Sequence, residues 1–172
     1  MRKNTKTAVE IERKYVIKMP DEAQLRTQED YTSSSILQIY LPGGQGETHR
    51  IRRRSYPDKT ICTETRKIRI DKMSSTEIEG EITEESFNAL SAAPLEGTIP
   101  IEKTRHTFTY LGQLFEIDVY PQWKNTAIME TELEKREAEA KIPSFIEIVR
   151  EVTGDKSYSN ASMSKNFPEE DK

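Results

Sequence analysis

The chain has 172 residues, 34% hydrophobic and 33% charged, and its 26 Lys and Arg against 30 Asp and Glu leave a net charge of −4. The length suits one domain, and the near-cancelling charge excludes the strongly basic footprint of a nucleic-acid binder. No apolar run reaches the roughly 18 residues of a membrane helix, and the basic opening "MRKNTKTA" leads into no apolar signal core. The single cysteine, Cys62, rules out an intrachain disulfide. A cytoplasmic protein with neither nucleic-acid nor membrane partners is expected.

Strand-like alternation begins at Val9–Lys18. There "VEIERKYVI" sets Glu10, Glu12 and Lys14 on one face and Val9, Ile11, Arg13 and Tyr15 on the other. Pro20 and Asp21 open a short helix to about Gln28. Strands follow at Ser35–Leu41, Glu47–Ser55, Thr60–Arg69 and Thr76–Ile82, the first three joined by turns at "PGGQG" and "YPD". Thr83 is placed to cap a helix over Glu84–Ala92, with Glu84 and Glu85 in its first turn. Three more strands are predicted at Thr98–Tyr110, Gln113–Tyr120 and Ala127–Glu134, the first two joined at "YLGQ" by a tight hairpin. Helical segments are predicted at Lys135–Ala140 and Ser144–Val152, the second opened by Pro143 and ended by Gly154. Residues 162–172 read as a loose polar tail outside a single domain of residues 1–161. The class is mainly β: eight strands, mostly antiparallel, with peripheral helices.

A low apolar fraction combined with regular alternation implies that one surface of the sheet is both internal and polar. Its charges come in same-sign pairs two residues apart. Glu10/Glu12, Glu79/Glu81, Glu116/Asp118 and Glu130/Glu132 are acidic pairs. Arg50/Arg52/Arg54, Lys67/Arg69 and Lys103/Arg105 are basic sets. Such side chains lie roughly 6.5–7 Å apart on a strand, and like charges there cost up to about 1 kcal/mol. A divalent cation offsets the carboxylates, since hard ions prefer oxygen ligands, and a polyanion offsets the guanidinium and ammonium groups. One surface carrying both is suited to metal plus polyphosphate, the components of phosphoryl transfer. Any one pair alone is more simply a solvated strand face.

Other residues fall to structural roles. His49 and His106 alternate away from the neighbouring arginines, Cys62 is out of phase with Thr63, and Trp123 follows a strand end. "PGGQG" lacks the Lys-Ser/Thr and helix of a phosphate-binding P-loop.

Taken in order, "VEIERKYVI", "LQIYL", "HRIRRR", "EIEGEI", "IEKTRHTF", "GQLFEIDVY", "METELE" and "EVTGDKSYSN" resemble the motifs of the CYTH superfamily, the triphosphate tunnel metalloenzymes, over Val9 to Asn160. That family includes class IV adenylate cyclases and thiamine triphosphatases. The resemblance implies an eight-stranded antiparallel closed β-barrel with a polar tunnel, and a C-terminal segment closing one end. It implies that Glu10, Glu12 and Lys14 are catalytic. Lys14, Arg50, Arg52, Lys103, Arg105 and Lys156 would grip a triphosphate, with Lys67 substituting on the fourth strand. Glu10, Glu12, Asp118, Glu130 and Glu132 would bind Mg2+ or Mn2+, and Glu79, Glu81, Glu116 and Arg54 would line the tunnel. The chain departs from the family at Thr65, where a lysine is usual, and at Ser157, where an arginine is usual. The implied activity is hydrolysis of a small triphosphate, tripolyphosphate first. Cyclisation of ATP and hydrolysis of thiamine or nucleoside triphosphates are the enzymatic alternatives, and a barrel that binds polyphosphate without turnover is the non-catalytic one. A homodimer is compatible with this reading but rests on no particular residue.

Overall fold

The computed structural model describes residues 3–172, and the side chains of all of these but residues 3–6 and Ala8. Met1 and Arg2 of the basic opening lie outside the described residues. The strands are β1 (Lys3–Lys18), β2 (Glu29–Leu41), β3 (Glu47–Ser55), β4 (Thr60–Arg69), β5 (Ser74–Ile82), β6 (Ile101–Tyr110), β7 (Gln113–Val119), β8 (Thr126–Glu132) and β9 (Ile148–Glu151). The first eight form a closed antiparallel ring in the order β1-β5-β4-β3-β2-β6-β7-β8, and β8 returns to β1. Closure removes the outermost edges that an open sheet of this polarity would expose to a second chain, leaving only overhanging strand ends. At the β6–β7 hairpin Leu111 and Gly112 both take positive φ, 49° and 76°, as a two-residue primed turn requires.

Alternation sorts the wall into two faces. The outward residues of β1, β6, β7 and β8 bury Tyr15, Ile17, Phe108, Phe115, Ile117 and Met129 beneath Leu25 and Ile146. Leu25 belongs to α1 (Glu22–Leu25), whose N-cap Asp21 accepts from the Ala23 amide. On the opposite side Leu41, Ile51, Cys62 and Ile82 pack under Phe87 of α2 (Glu84–Ser91). Thr83 caps α2 as predicted, its hydroxyl accepting from the Ser86 amide at 3.0 Å. Burying Phe87 contributes on the order of 2–3 kcal/mol and anchors an otherwise marginal two-turn helix. A third cluster, with Val16, Tyr40, Ile101, Tyr120 and Ile128 on the inward face, fills one end of the lumen. The C-terminal segment covers it with Tyr158 and, from α3 (Asn160–Lys165), Met163.

Three expectations are corrected. Residues 144–152 form no helix: Ile148–Glu151 is β9, which pairs with β1 at Tyr15–Ile17 where β5 has already ended at Ile11. The free edge of β1 needs hydrogen-bond partners, and the β-branched run "IEIV" supplies them. Residues 135–140 are also non-helical; Arg136 is drawn to Asp71 and Ser74, Ala140 packs against the core, and so short a polar stretch is marginal as a helix. The tail after Ser162 is not loose. Phe167 stacks edge-on against Tyr120 and Trp123, and the Trp123 indole donates to the Pro168 carbonyl at 3.0 Å. Glu170 accepts from the amides of Asn125 and Thr126, and Asp171 pairs with Arg150 at 2.8 Å.

The structural roles expected for four residues hold. His49 is buried against Glu64 at 2.8 Å, His106 against the Tyr31 hydroxyl at 2.9 Å, and Cys62 and Trp123 are in the core. No described helix is long and apolar enough to cross a membrane.

Candidate functional site

The lumen holds a cavity of about 460 Å³. Its walls carry Glu10, Glu12, Lys14, Arg50, Arg52, Arg54, Lys67, Glu79, Arg105, Glu116, Glu130, Glu132 and Lys156. Strand register explains the gathering. Glu12 lies opposite Glu132 and Lys14 opposite Glu130 across β1–β8, while Glu116 faces Glu130 across β7–β8. Arg52 lies opposite Gln38 and Arg50 opposite Tyr40 across β2–β3. Each pair points inward because side chains directly opposite in a ladder share a face.

The carboxylate side is crowded. Burial and the neighbouring Glu77 push Glu10 up to about 8. Glu12 is raised by Glu130 and then by burial, and Glu132 by burial and Glu116. Glu77 goes the other way, lowered against its burial by Arg50 and Lys67, and so does Glu130. Burial would raise it, but the Lys14 ammonium at 3.1 Å holds it down to about 2. Lys14 also donates to the Tyr158 carbonyl at 3.2 Å, tying the strand to the C-terminal segment. Lys67 stands 3.8 Å from both Glu10 and Glu77.

The cationic side is equally lopsided. Burial, together with the like charges of Arg50 and Arg105, brings Arg52 down to about 9. The Arg50 guanidinium lies 3.7 Å from Glu77, and its buried Nε has no hydrogen-bond partner. An unpaired buried donor costs about 1–3 kcal/mol, which an anionic ligand in the cavity would recover.

Three predicted site residues are not part of the cavity lining. Asp118 is fully enclosed, with one oxygen accepting from Arg105 Nε at 2.7 Å and the other from Arg105 at 2.8 Å and Lys103 Nζ at 2.7 Å. Burial works against its charge, yet these two cations hold its carboxyl well below the usual range. A carboxylate so occupied has little to offer a metal, and Lys103 is spent on the same pair. Burial draws Lys103 down to about 7 despite Asp118 beside it. Glu81 is exposed, opposite Thr63 at the end of β5 next to α2. Glu77 and Tyr40 line the cavity and were missed. Glu77 was legible, since it extends the same-face series through Glu79 in "STEIEGEI". At the two departures, Thr65 donates to Glu79 at 2.8 Å, and Ser157 binds Asp155 at 2.6 Å.

Among the described residues no three His, Cys, Asp or Glu side chains converge on a ready-made metal position. The donor set nevertheless fits a hard divalent cation. Glu10, Glu12, Glu77 and Glu130 offer only oxygen; burial and then Glu77 raise Glu10, Glu130 and then burial raise Glu12, and a bound cation would offset the repulsive part.

No protein-family model matches the chain, and no curated protein sequence matches it. Solved structures do. The inorganic triphosphatase NE1496 is 28% identical, with a TM-score of 0.60 over 93% of this chain and 97% of that one. PH1012 from Pyrococcus horikoshii, at 15% identity and a TM-score of 0.55, shares the fold over 74% of this chain and 81% of its own. HpAC1 from Hippeastrum, an adenylyl cyclase candidate with a dominant triphosphatase activity, shares it at 14% identity and a TM-score of 0.51, over 74% and 81%. Its ring of eight strands and its divided lumen of carboxylates and arginines, together with these similarities, are consistent with the CYTH superfamily of triphosphate tunnel metalloenzymes.

Proposed function

We propose that the protein hydrolyses a small triphosphate, inorganic tripolyphosphate foremost, with Mg2+ or Mn2+. The observation that carries this reading is the division of one cavity into an acidic half on β1, β5 and β8 and a cationic half centred on β3. The similarity to the inorganic triphosphatase NE1496 supports the substrate.

Arg50, Arg52 and Arg54 bind the phosphate oxygens, with Lys67 and Lys156 flanking them. Glu10, Glu12, Glu77 and Glu130 would hold the cation, with Glu132 beside them; bound there, it supplies Lewis-acid charge that neutralises phosphate oxygens. Lys14 keeps Glu130 ionised. Glu12, lining the cavity between Glu10 and Lys14 on β1, is placed to take a proton at its carboxylate from the attacking water. Arg105, fixed by Glu116 at 2.9 Å and by Asp118, borders the cationic half as a rigid post. Cys62, buried and without a disulfide, accords with a reducing cytoplasmic setting.

The test is phosphate release from tripolyphosphate, ATP and thiamine triphosphate, with each metal in turn. Metal-dependent release fastest on tripolyphosphate is expected, and Glu12→Gln should lower it by about 10²-fold or more. No release from any of the three would overturn the hydrolase. Cyclic AMP formed from ATP would then identify a cyclase, and metal-independent binding without turnover a polyphosphate receptor.

A further inference from the structure

The lumen's cations fall into two groups by the company they keep. Lys14 is paired with Glu130, and Lys103 and Arg105 with Asp118 and Glu116. Arg52 and Arg54 have no carboxylate within ion-pair distance among the described residues. Arg52 donates from Nε and NH2 to a single atom, Gln38 Oε1, at 3.0 and 2.8 Å. Arg54 donates to the hydroxyls of Ser34 at 2.7 Å and Thr107 at 3.4 Å. Both guanidinium groups are therefore held by neutral acceptors.

Gln38 is fully buried, and its other end is fixed as well. Its Nε2 donates to the Tyr40 hydroxyl at 3.3 Å, and Tyr40 sits opposite Arg50 across the ladder. An amide suits this place because it accepts on one side and donates on the other without adding charge. A carboxylate could make the same contact to Arg52 but would cancel its charge, as Asp118 does for Arg105.

We infer that Gln38 is a positioning residue for triphosphate binding, one that orients the Arg52 guanidinium while leaving its charge free for a phosphate. The inference rests on the triphosphatase reading. It distinguishes Arg52 and Arg54, which have charge to give, from Lys103 and Arg105, whose charge is already matched.

The experiment is steady-state hydrolysis of tripolyphosphate by the wild type, Gln38→Glu and Gln38→Met, with thermal unfolding of each. The glutamate keeps the shape and the hydrogen bond; the methionine keeps the volume and leaves Arg52 charged but unguided. Gln38→Glu should raise KM by about tenfold or more, the scale of one charge-assisted phosphate contact, while kcat changes much less and the melting temperature is kept. Gln38→Met should raise KM by a smaller factor. A merely structural role would instead lower the melting temperature and leave KM alone. The inference is overturned if the wild type is active and Gln38→Glu has a KM within twofold of it, or if the two variants raise KM equally. Should Gln38→Glu fail to fold, an unchanged KM in Gln38→Met overturns the orienting role. An inactive wild type would instead strike the triphosphatase reading itself.

Discussion

Glu116 and Asp118 stand two residues apart on one face of β7 and have different occupations. Glu116 borders the cavity, whereas Asp118 lies beneath it, enclosed by Lys103 and Arg105. Alternation in the sequence gives the face but not the depth. It could not show that the next turn of the ladder had already passed from cavity to floor, so Asp118 and Lys103 read as ligands. Removing the charge in Asp118→Asn leaves two buried cations short of a partner and is expected to cost about 3–5 kcal/mol, measured by chemical denaturation. Because Asp118 is held below its ordinary value, the stability it contributes is complete above the unfolded carboxyl pKa of about 4. It is lost as pH falls through the lower folded value. The stability gap between wild type and Asp118→Asn should accordingly narrow as pH falls below about 4; a gap as large at pH 2 as at pH 4 would contradict the assignment.

Elements were legible in proportion to how local their causes are. The limits of β3 and β4 and the cap of α2 follow from alternation and from one threonine. β9 does not, because its cause is a vacancy on β1, more than 130 residues away in the chain. The C-terminal strap escaped notice for the same reason. Its polar sequence looks solvent-seeking until Trp123, Arg150 and the amides of Asn125 and Thr126 are seen waiting for it. Deleting residues 167–172 removes the packing of Phe167, roughly 2 kcal/mol, and strands the Trp123 indole, about 1 kcal/mol more. A fall in melting temperature of roughly 6–12 °C is expected by calorimetry. A shift under 2 °C would mean that the strap contributes nothing to the fold.

At the scale of the whole molecule, the apolar material is divided among two outer clusters and one end of the lumen, with charge between them. Alternation and the low apolar fraction pointed to an internal polar surface on an eight-stranded sheet; that the sheet closes into a ring came only from the resemblance to the tunnel enzymes. A ligand that matches both halves of the cavity should stabilise the molecule. With metal present and tripolyphosphate at 100 times its Kd, about 2.7 kcal/mol is expected, seen as a rise in melting temperature of roughly 5–10 °C. Orthophosphate at the same concentration should do far less.

The ring closes through its first strand, and Glu12 finds Glu132 only after all the intervening strands have been laid down. The acidic half of the cavity thus joins the first and last strands of the ring in chain order to the carboxylates of β5, while Arg50, Arg52 and Arg54 come from β3 alone. On a ribosome β1 emerges first and waits longest, with both edges unpaired. Closing so long a loop is slow, so closure is expected to be a late step in folding. A nascent chain lacking β8 already owns its arginines but not its complete set of carboxylates, and metal-dependent capture of triphosphate should appear only when the circle is joined.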